Sequence, residues 1–137
     1  MIGLDTNVLV RYIAQDDPLQ TEQAAALIES LTSAEPGFVA MVSVVELVWV
    51  MQSCYRSTRS EVVEVLETLL RTKEIVVDQS DLIWQALRRY AETSADFADS
   101  LIERCAHSAG CEYTVTFDRN AVKQAGMQLA GSAASHN

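Results

Sequence analysis

The chain has 137 residues, a length that suits one globular domain with a core of its own. Hydrophobic residues make up 49% of the sequence and charged residues 21%, which is typical of globular proteins. Ten basic residues stand against nineteen acidic ones, and the net charge of −9 argues against a general nucleic-acid binder because such a surface repels phosphates. It does not exclude a nucleic-acid enzyme whose site charge is reversed by bound cations.

The sequence predicts a cytoplasmic protein. No basic and apolar leader precedes Ile2, so we expect no signal peptide. The longest apolar stretch, residues 38–51, contains Glu46 and is too short to span a bilayer. The cysteines are odd in number and match no metal-binding spacing, so we expect buried free thiols in a reducing compartment at Cys54, Cys105 and Cys111.

The first stretch of the chain predicts a strand, a tight turn and a helix. Residues 1–4 are mostly apolar, and apolar residues recur at helical spacing over residues 8–13. Asp5 therefore stands at the C-terminal end of the first strand, the edge at which open parallel sheets bind ligands. Taken alone, the stretch is better explained by Asp5 or Thr6 capping the helix.

Strands and helices then alternate to the end of the chain. Predicted helices begin at Pro18, Ser43, Thr58, Ser80 or Asp81, after Phe97, and at Asp118; predicted strands cover residues 38–42, 74–77, 113–116 and, weakly, 128–130. This alternation implies a parallel sheet covered on both faces. We expect a single domain over residues 1–130, followed by a small, polar and mobile tail over residues 131–137.

Acidic side chains follow the predicted strands. Asp5 follows the first strand, Glu46 lies in the first turn of the helix after the second, and Asp118 follows the fourth. Because parallel strands end at the same edge of a sheet, we expect these three carboxylates to meet. Asp96 and Asp99, at the start of the preceding helix, reach that edge if the helix packs beside strands one and four.

This set of acids favours a metal site. Crowded carboxylates repel and raise each other's pKa, and divalent cations relieve the repulsion. Oxygen ligands without His or Cys suit Mg²⁺ or Mn²⁺. Each acid alone is equally well explained as a helix cap, and Ser43-x-x-Glu46 has the form of a capping box. The arrangement of four acids after successive strands is what favours the metal.

Four segments together resemble the PIN domains, and most closely the VapC-type ribonuclease toxins of toxin–antitoxin pairs. The segments are LDTNVL (residues 4–9), VELVWV (45–50), DFADSLI (96–102) and TFD (116–118). Each segment alone is weak. Their order matches that of the family and they span nearly the whole chain, so the ordered set is specific.

The resemblance implies an α/β, PIN-like three-layer fold, with a parallel sheet of four or five strands and helices on both faces. It implies an endoribonuclease toxin that depends on Mg²⁺, with Mn²⁺ possible, and that cleaves single-stranded or structured RNA. It also implies a homodimer and an inhibitory antitoxin protein. No membrane partner is expected.

The resemblance assigns the catalytic, metal-binding positions to Asp5, Glu46, Asp99 and Asp118. Asn7 and Thr116 match the polar residues that support them. Asp96 is given a supporting role, because the continuation after Asp99 places the third acid of the family there. We expect an ion bridging Asp5 and Asp99 to activate water, and a second near Glu46 and Asp118 to stabilise the leaving oxygen. The sequence leaves open whether one or two ions bind.

The alternative function is a non-catalytic acidic module that binds a protein, or a receiver-like phosphorylation domain. A receiver needs a lysine at a late strand end, and neither Lys73 nor Lys123 is suitably placed. Trp49 and Trp84 lie on helical faces and are expected in the core rather than as platforms for base stacking. Arg11 is explained equally well as a phosphate contact and as a solvated surface residue.

Overall fold

Residues 1–131 are described by a computed structural model, and they divide into a unit from Met1 to Ser80 and a unit that begins at Asp81. The expected tail, residues 131–137, lies outside the described residues apart from Gly131. The prediction of one domain over residues 1–130 stays a prediction. Within the described residues, no helix is both long and apolar enough to cross a membrane.

Three parallel strands organise the first unit, in the order β1-β2-β3. Along the chain this unit contains β1 (Ile2–Gly3), α1 (Thr6–Ala14), α2 (Pro18–Glu29), β2 (Gly37–Val39), α3 (Met41–Cys54), α4 (Arg59–Arg71) and β3 (Ile75–Val77). Gly3 lies opposite Phe38, and Phe38 lies opposite Val76. Because all three strands run in one direction, the residues that follow β1 and β2 leave the sheet at the same edge.

Gly37 allows the centre of this ladder to pack closely. A Cβ atom at this position would lie 2.8 Å from Leu4 Cδ1 and 2.9 Å from Leu31 Cδ1. Both leucines are buried, so neither side chain can move aside without disturbing the core. The position therefore favours glycine for reasons of space.

Two predicted helix starts are confirmed in the first unit. Pro18 occupies the first turn of α2, and Asp17 caps that helix by accepting a hydrogen bond from Gln20 N at 3.0 Å. Thr58 and Glu61 form the predicted capping box of α4: Thr58 Oγ1 accepts from Glu61 N at 3.1 Å, and Glu61 Oε1 accepts from Thr58 N at 2.8 Å.

The predicted start of α3 is wrong. The helix begins at Met41, and its N-cap residue, Ala40, has no side chain that could accept a hydrogen bond. Ser43 is buried inside the first turn, so Ser43 and Glu46 form no capping box, and Glu46 lies in the second turn rather than the first. Residues 40–42 are apolar and suit a helix and a strand equally, so the sequence did not mark this helix start.

The second unit contains α5 (Ser80–Glu92, beginning at the unit boundary), α6 (Phe97–Ser108), β4 (Val115–Thr116), α7 (Arg119–Gln124) and β5 (Gln128–Leu129). β4 and β5 pair in parallel. All the predicted strands are thus present among the described residues and all are parallel, in one ladder of three strands and one of two.

A partly buried ion-pair network joins α5 and α6, and no sequence pattern predicted it. Arg89 Nη1 donates to Glu103 Oε1 at 2.8 Å, and Arg104 Nε donates to the same oxygen at 2.7 Å. Arg89 also donates to the carbonyl oxygen of Ala125 after α7. Burial raises the pKa of Glu103, but the hydrogen bonds and charges of Arg104 and Arg89 outweigh it, so this pKa lies below the ordinary value.

Glu103→Gln should destabilise the protein in a pH-dependent way. A carboxylate with a lowered pKa contributes stability above its unfolded-state pKa, and this is lost as the pH falls through the folded-state value. We expect a loss of about 2 kcal/mol at pH 7, less than for a fully buried pair, and a much smaller difference at pH 3. Urea unfolding at both pH values measures this, with the exposed Glu92→Gln as control. An unfolding difference independent of pH would contradict the prediction.

Candidate active site

The first half of the predicted site lies where β1 and β2 end. Asp5 follows β1, and its Oδ1 accepts a hydrogen bond from Thr6 N at 2.7 Å, which makes Asp5 the N-cap of α1. The second oxygen of this carboxylate takes no part in the cap. Asp5 is therefore a helix cap, and it still presents an oxygen that could ligate an ion.

Thr6 joins the two predicted acids of the first unit. Its hydroxyl donates to Glu46 Oε1 at 2.8 Å, while its backbone N–H donates to Asp5. Thr6 is only 8% exposed, so the hydrogen bond is partly shielded from water even though Glu46 is exposed. The sequence suggested Thr6 only as a cap, because a side-chain hydrogen bond between two helices leaves no local sequence pattern.

Asp5, Asn7 and Glu46 line one cavity of about 730 Å³ in the first unit. Arg11 also lines this cavity. Two hydrogen bonds hold its guanidinium in place: Nε donates to Gln20 Oε1 at 2.6 Å and Nη1 donates to Asp16 Oδ1 at 3.2 Å. Arg11 is thus a tethered residue at the cavity. The structure places two of the four predicted catalytic acids, together with the supporting Asn7, around one space.

The second unit holds the other predicted acids at the starts of α6 and α7. Asp96 is the N-cap of α6, and its Oδ2 accepts from Asp99 N at 3.2 Å. Asp99 therefore lies in the first turn of α6, and its backbone N–H is held by the carboxylate of Asp96. This arrangement fits the supporting role that was predicted for Asp96.

Asp118 caps α7. Its Oδ1 accepts from Asn120 N at 2.8 Å and from Ala121 N at 3.2 Å, and its own N–H donates to Thr116 Oγ1 at 3.0 Å. Thr116 therefore fixes the backbone at Asp118, and the cap fixes the carboxylate. As at Asp5, one carboxylate oxygen is used and the other is not.

The carboxylate of Asp99 is affected by the charges of the two other acids predicted for the site in this unit. Partial burial raises its pKa, and the negative charges of Asp96 and Asp118 raise it further. The ionised form of Asp99 is therefore disfavoured in the folded protein, as predicted for crowded carboxylates. A cation bound at this carboxylate would offset both effects.

The donor atoms fit magnesium in type, since every candidate ligand is a carboxylate, hydroxyl or amide oxygen. Within the described residues, no three Asp, Glu, His or Cys side chains form a group that could hold a metal ion. What the structure supplies within each unit is paired carboxylates with fixed orientation and, at Asp99, like-charge repulsion that a cation would relieve.

Two expectations about buried side chains are wrong. Trp49 is 63% exposed on α3 and lines the cavity with Glu46, while Trp84 is half-buried. Cys54 and Cys111 are exposed and Cys105 is half-buried, so the thiols are free but are not core residues. The outward side of α3 could not be read from its sequence, because α3 is apolar on nearly every side.

Residues 2–126 match the model of the PIN domain family. The chain belongs to the PIN domain family. It is also similar to the VapC ribonuclease of Aquifex aeolicus (strain VF5), with 28% identity over 117 residues that cover 85% of this chain and 86% of that protein. No solved structure matches the chain significantly. The PIN resemblance and the α/β class are thereby confirmed, and the receiver-like alternative finds no support.

In this PIN domain, Thr6→Val should cost about 1 kcal/mol of stability, because it removes a partly shielded hydrogen bond to a carboxylate while keeping the shape of the side chain. Thr6→Ser keeps the hydroxyl and should lie closer to the parent. A double-mutant cycle with Glu46→Ala, followed by urea unfolding, isolates the pair. Additive effects of Thr6→Val and Glu46→Ala would show that the hydrogen bond contributes nothing.

Proposed function

We propose that this PIN domain is a metal-dependent endoribonuclease, acting on single-stranded or structured RNA as the toxin of a toxin–antitoxin system. One observation carries the proposal: Asp5 and Glu46 line one cavity and are joined through Thr6. In metal-dependent phosphodiester hydrolysis, fixed carboxylates of this kind hold the catalytic ions. The similarity to a VapC ribonuclease supports RNA as the substrate.

The proposed catalytic and metal-binding residues are the four acids assigned from the sequence, with three polar neighbours in support: Asp5, Glu46, Asp99 and Asp118, supported by Asn7, Thr116 and Asp96. The order of the motifs carries this assignment. Within each unit it is supported by the contacts that orient the acids, through Thr6 in the first unit and through Asp96 and Thr116 in the second.

Mg²⁺, or Mn²⁺ in its place, would be held by these acids, and when bound it supplies activation of water and neutralises charge on the scissile phosphate. The chain's own residues fix the ligands before any ion arrives. Thr6 orients Glu46, and the caps orient one oxygen each of Asp5 and Asp118. This preorganisation means that little side-chain entropy is lost when an ion or substrate binds.

Asp5→Asn and Asp99→Asn should each abolish cleavage of RNA in the presence of Mg²⁺ or Mn²⁺, because each removes a proposed ligand charge. Circular dichroism should show that the fold survives, since Asn caps α1 nearly as well as the Asp at position 5, and Asp99 lies in the first turn of α6 without capping it. A gel assay on single-stranded RNA measures cleavage. The matched control is Asp81→Asn, an exposed acid in the first turn of α5. Full activity in either variant would remove that residue from the mechanism.

Asp99→Asn should also raise the melting temperature of the metal-free protein at pH 7. The pKa of Asp99 is raised in the folded state, so the ionised carboxylate destabilises the fold at pH values above that pKa and the penalty disappears at low pH. The same substitution should shrink the rise in melting temperature that Mn²⁺ produces, because the metal binds the folded state. Thermal melts in EDTA and in Mn²⁺ test both effects; equal Mn²⁺ shifts in parent and variant would exclude Asp99 as a ligand.

The proposed toxin acts in the cytoplasm, forms a homodimer and is inhibited by an antitoxin protein that occupies the acidic site. An inhibitor that reaches these carboxylates should present arginine to them. Expression of the chain alone should therefore slow growth, whereas expression of Asp5→Asn should not, and co-expression of the antitoxin should restore growth. Normal growth with active protein verified in the cells would contradict the toxin role.

A further inference from the structure

The outward face of α3 carries an exposed apolar strip on either side of a proposed catalytic acid. Val42 is 67% exposed and Trp49 is 63% exposed, and Glu46 lies between them on the same face of the helix. Positions four and seven residues apart share one face of a helix. Single exposed apolar residues are common on proteins, but Val42 and Trp49 line the same cavity as Glu46, and apolar surface that is contiguous and bordered by polar groups is typical of interaction sites.

Trp49 belongs to the cavity that contains the carboxylates. It lines that space together with Asp5 and Glu46, and it stands one helical turn after Glu46. Val45 and Val50 line the same cavity, so the indole shares this space with both apolar and acidic side chains. A ligand that fits this place has a flat apolar part next to the part that meets the acids.

We propose that Trp49 stacks against an unpaired nucleobase of the RNA and so positions the adjoining phosphodiester at the carboxylates; this rests on the proposed ribonuclease function. Aromatic side chains bind single-stranded RNA in this way, and stacking tolerates any base because every base has a π-face. The inference names the substrate class as RNA that is unpaired at the cleavage site.

The charge of the protein favours a base as the occupant. With a net charge of −9, the surface cannot attract RNA through its phosphates at long range. Arg11, the basic residue that lines the cavity, is already paired with Asp16 at 3.2 Å. A nucleobase carries no charge of its own, so stacking on an indole adds affinity that does not depend on attraction between the acidic surface and the phosphates.

A second copy of this chain fits the strip less well. A two-fold symmetric contact centred on Trp49 would bring Glu46 of both copies into one interface. Two like charges withdrawn from water destabilise such an interface unless each finds a partner. Among residues 1–131, the hydrogen-bond partner of Glu46 is the hydroxyl of Thr6, which is uncharged and cannot neutralise it.

The binding test compares Trp49→Leu with Trp49→Phe. Leucine keeps a large apolar side chain at this position but has no aromatic ring, whereas phenylalanine keeps an aromatic ring that can stack on a base. In the uncleaving Asp5→Asn background with Mg²⁺, fluorescence anisotropy of a labelled single-stranded oligoribonucleotide should show about a tenfold loss of affinity for Leu and a much smaller loss for Phe. A duplex of the same sequence should bind all variants equally weakly. Equal affinity of the Leu and Phe variants for the single strand would overturn the proposal.

A spectroscopic test reports on Trp49 directly. In a Trp84→Phe variant, Trp49 is the single tryptophan of the chain, and its fluorescence should be quenched as the single-stranded oligoribonucleotide is added. In Trp49→Phe, which retains Trp84, the same titration should leave the emission nearly unchanged. Unquenched Trp49 at saturating RNA would overturn the proposal.

The two proposals fail in different ways. If the parent chain cleaves RNA and Asp5→Asn does not, the ribonuclease function stands whatever Trp49 does. Sedimentation of the Trp49→Leu variant tests whether the strip instead joins two copies of the chain. If the variant dissociates from a dimer to the 15.1 kDa chain while its RNA affinity is unchanged, the strip is a dimer contact and the stacking proposal is wrong. A parent chain that neither binds nor cleaves RNA would defeat both proposals.

Discussion

The hydrogen bond from Thr6 to Glu46 depends on the parallel pairing of β1 with β2. The register sets Gly3 opposite Phe38, so the two strands end side by side and the chain leaves both at one edge. Thr6 then begins α1 close enough to Glu46, on α3, for a 2.8 Å contact. The pairing of these strands also requires close packing at Gly37, since any larger residue there would push Leu4 and Leu31 away from the strands.

Helix capping does not conflict with the roles proposed for the carboxylates that do the capping. Asp5, Asp96 and Asp118 each cap a helix, and each cap uses one oxygen of the carboxylate. The helix N-terminus holds the side chain in one orientation and stabilises its negative charge. The two explanations that the sequence left open for these acids are therefore compatible: the cap orients the group, and the remaining oxygen stays available to a ligand.

The sequence predicted those features that depend on neighbouring residues. Pro18 and the Thr58–Glu61 pair act within one helical turn, so their patterns identified the starts of α2 and α4. The length of the second strand was overestimated. Residues 40–42 are apolar and suit a helix and a strand equally, and only backbone pairing with a neighbouring strand decides which of the two forms. The approach of the acids at the sheet edge was predictable for Asp5 and Glu46 because parallel topology alone requires it.

Features that depend on distant contacts were missed. The Arg89–Glu103 pair joins residues on two helices, and α5 shows ordinary amphipathic spacing whether or not that pair forms. Trp49 was misplaced for a different reason. A helix that is apolar on all sides has no polar stripe to mark its outer face, so only packing of the other elements reveals which side chains remain exposed.

The acidity of the chain changes what RNA binding requires. Most nucleic-acid enzymes gain affinity from many contacts between basic residues and phosphates. A chain with ten basic residues against nineteen acidic ones can gain little affinity in this way. Affinity must then come from groups that do not depend on the sign of the surface charge, and an exposed indole beside the carboxylates is one such group. Stacking is weakly sensitive to salt whereas phosphate contacts are strongly sensitive. The proposed ribonuclease should therefore bind RNA with a shallow salt dependence. The slope of affinity against salt concentration therefore distinguishes binding through bases from binding through phosphates.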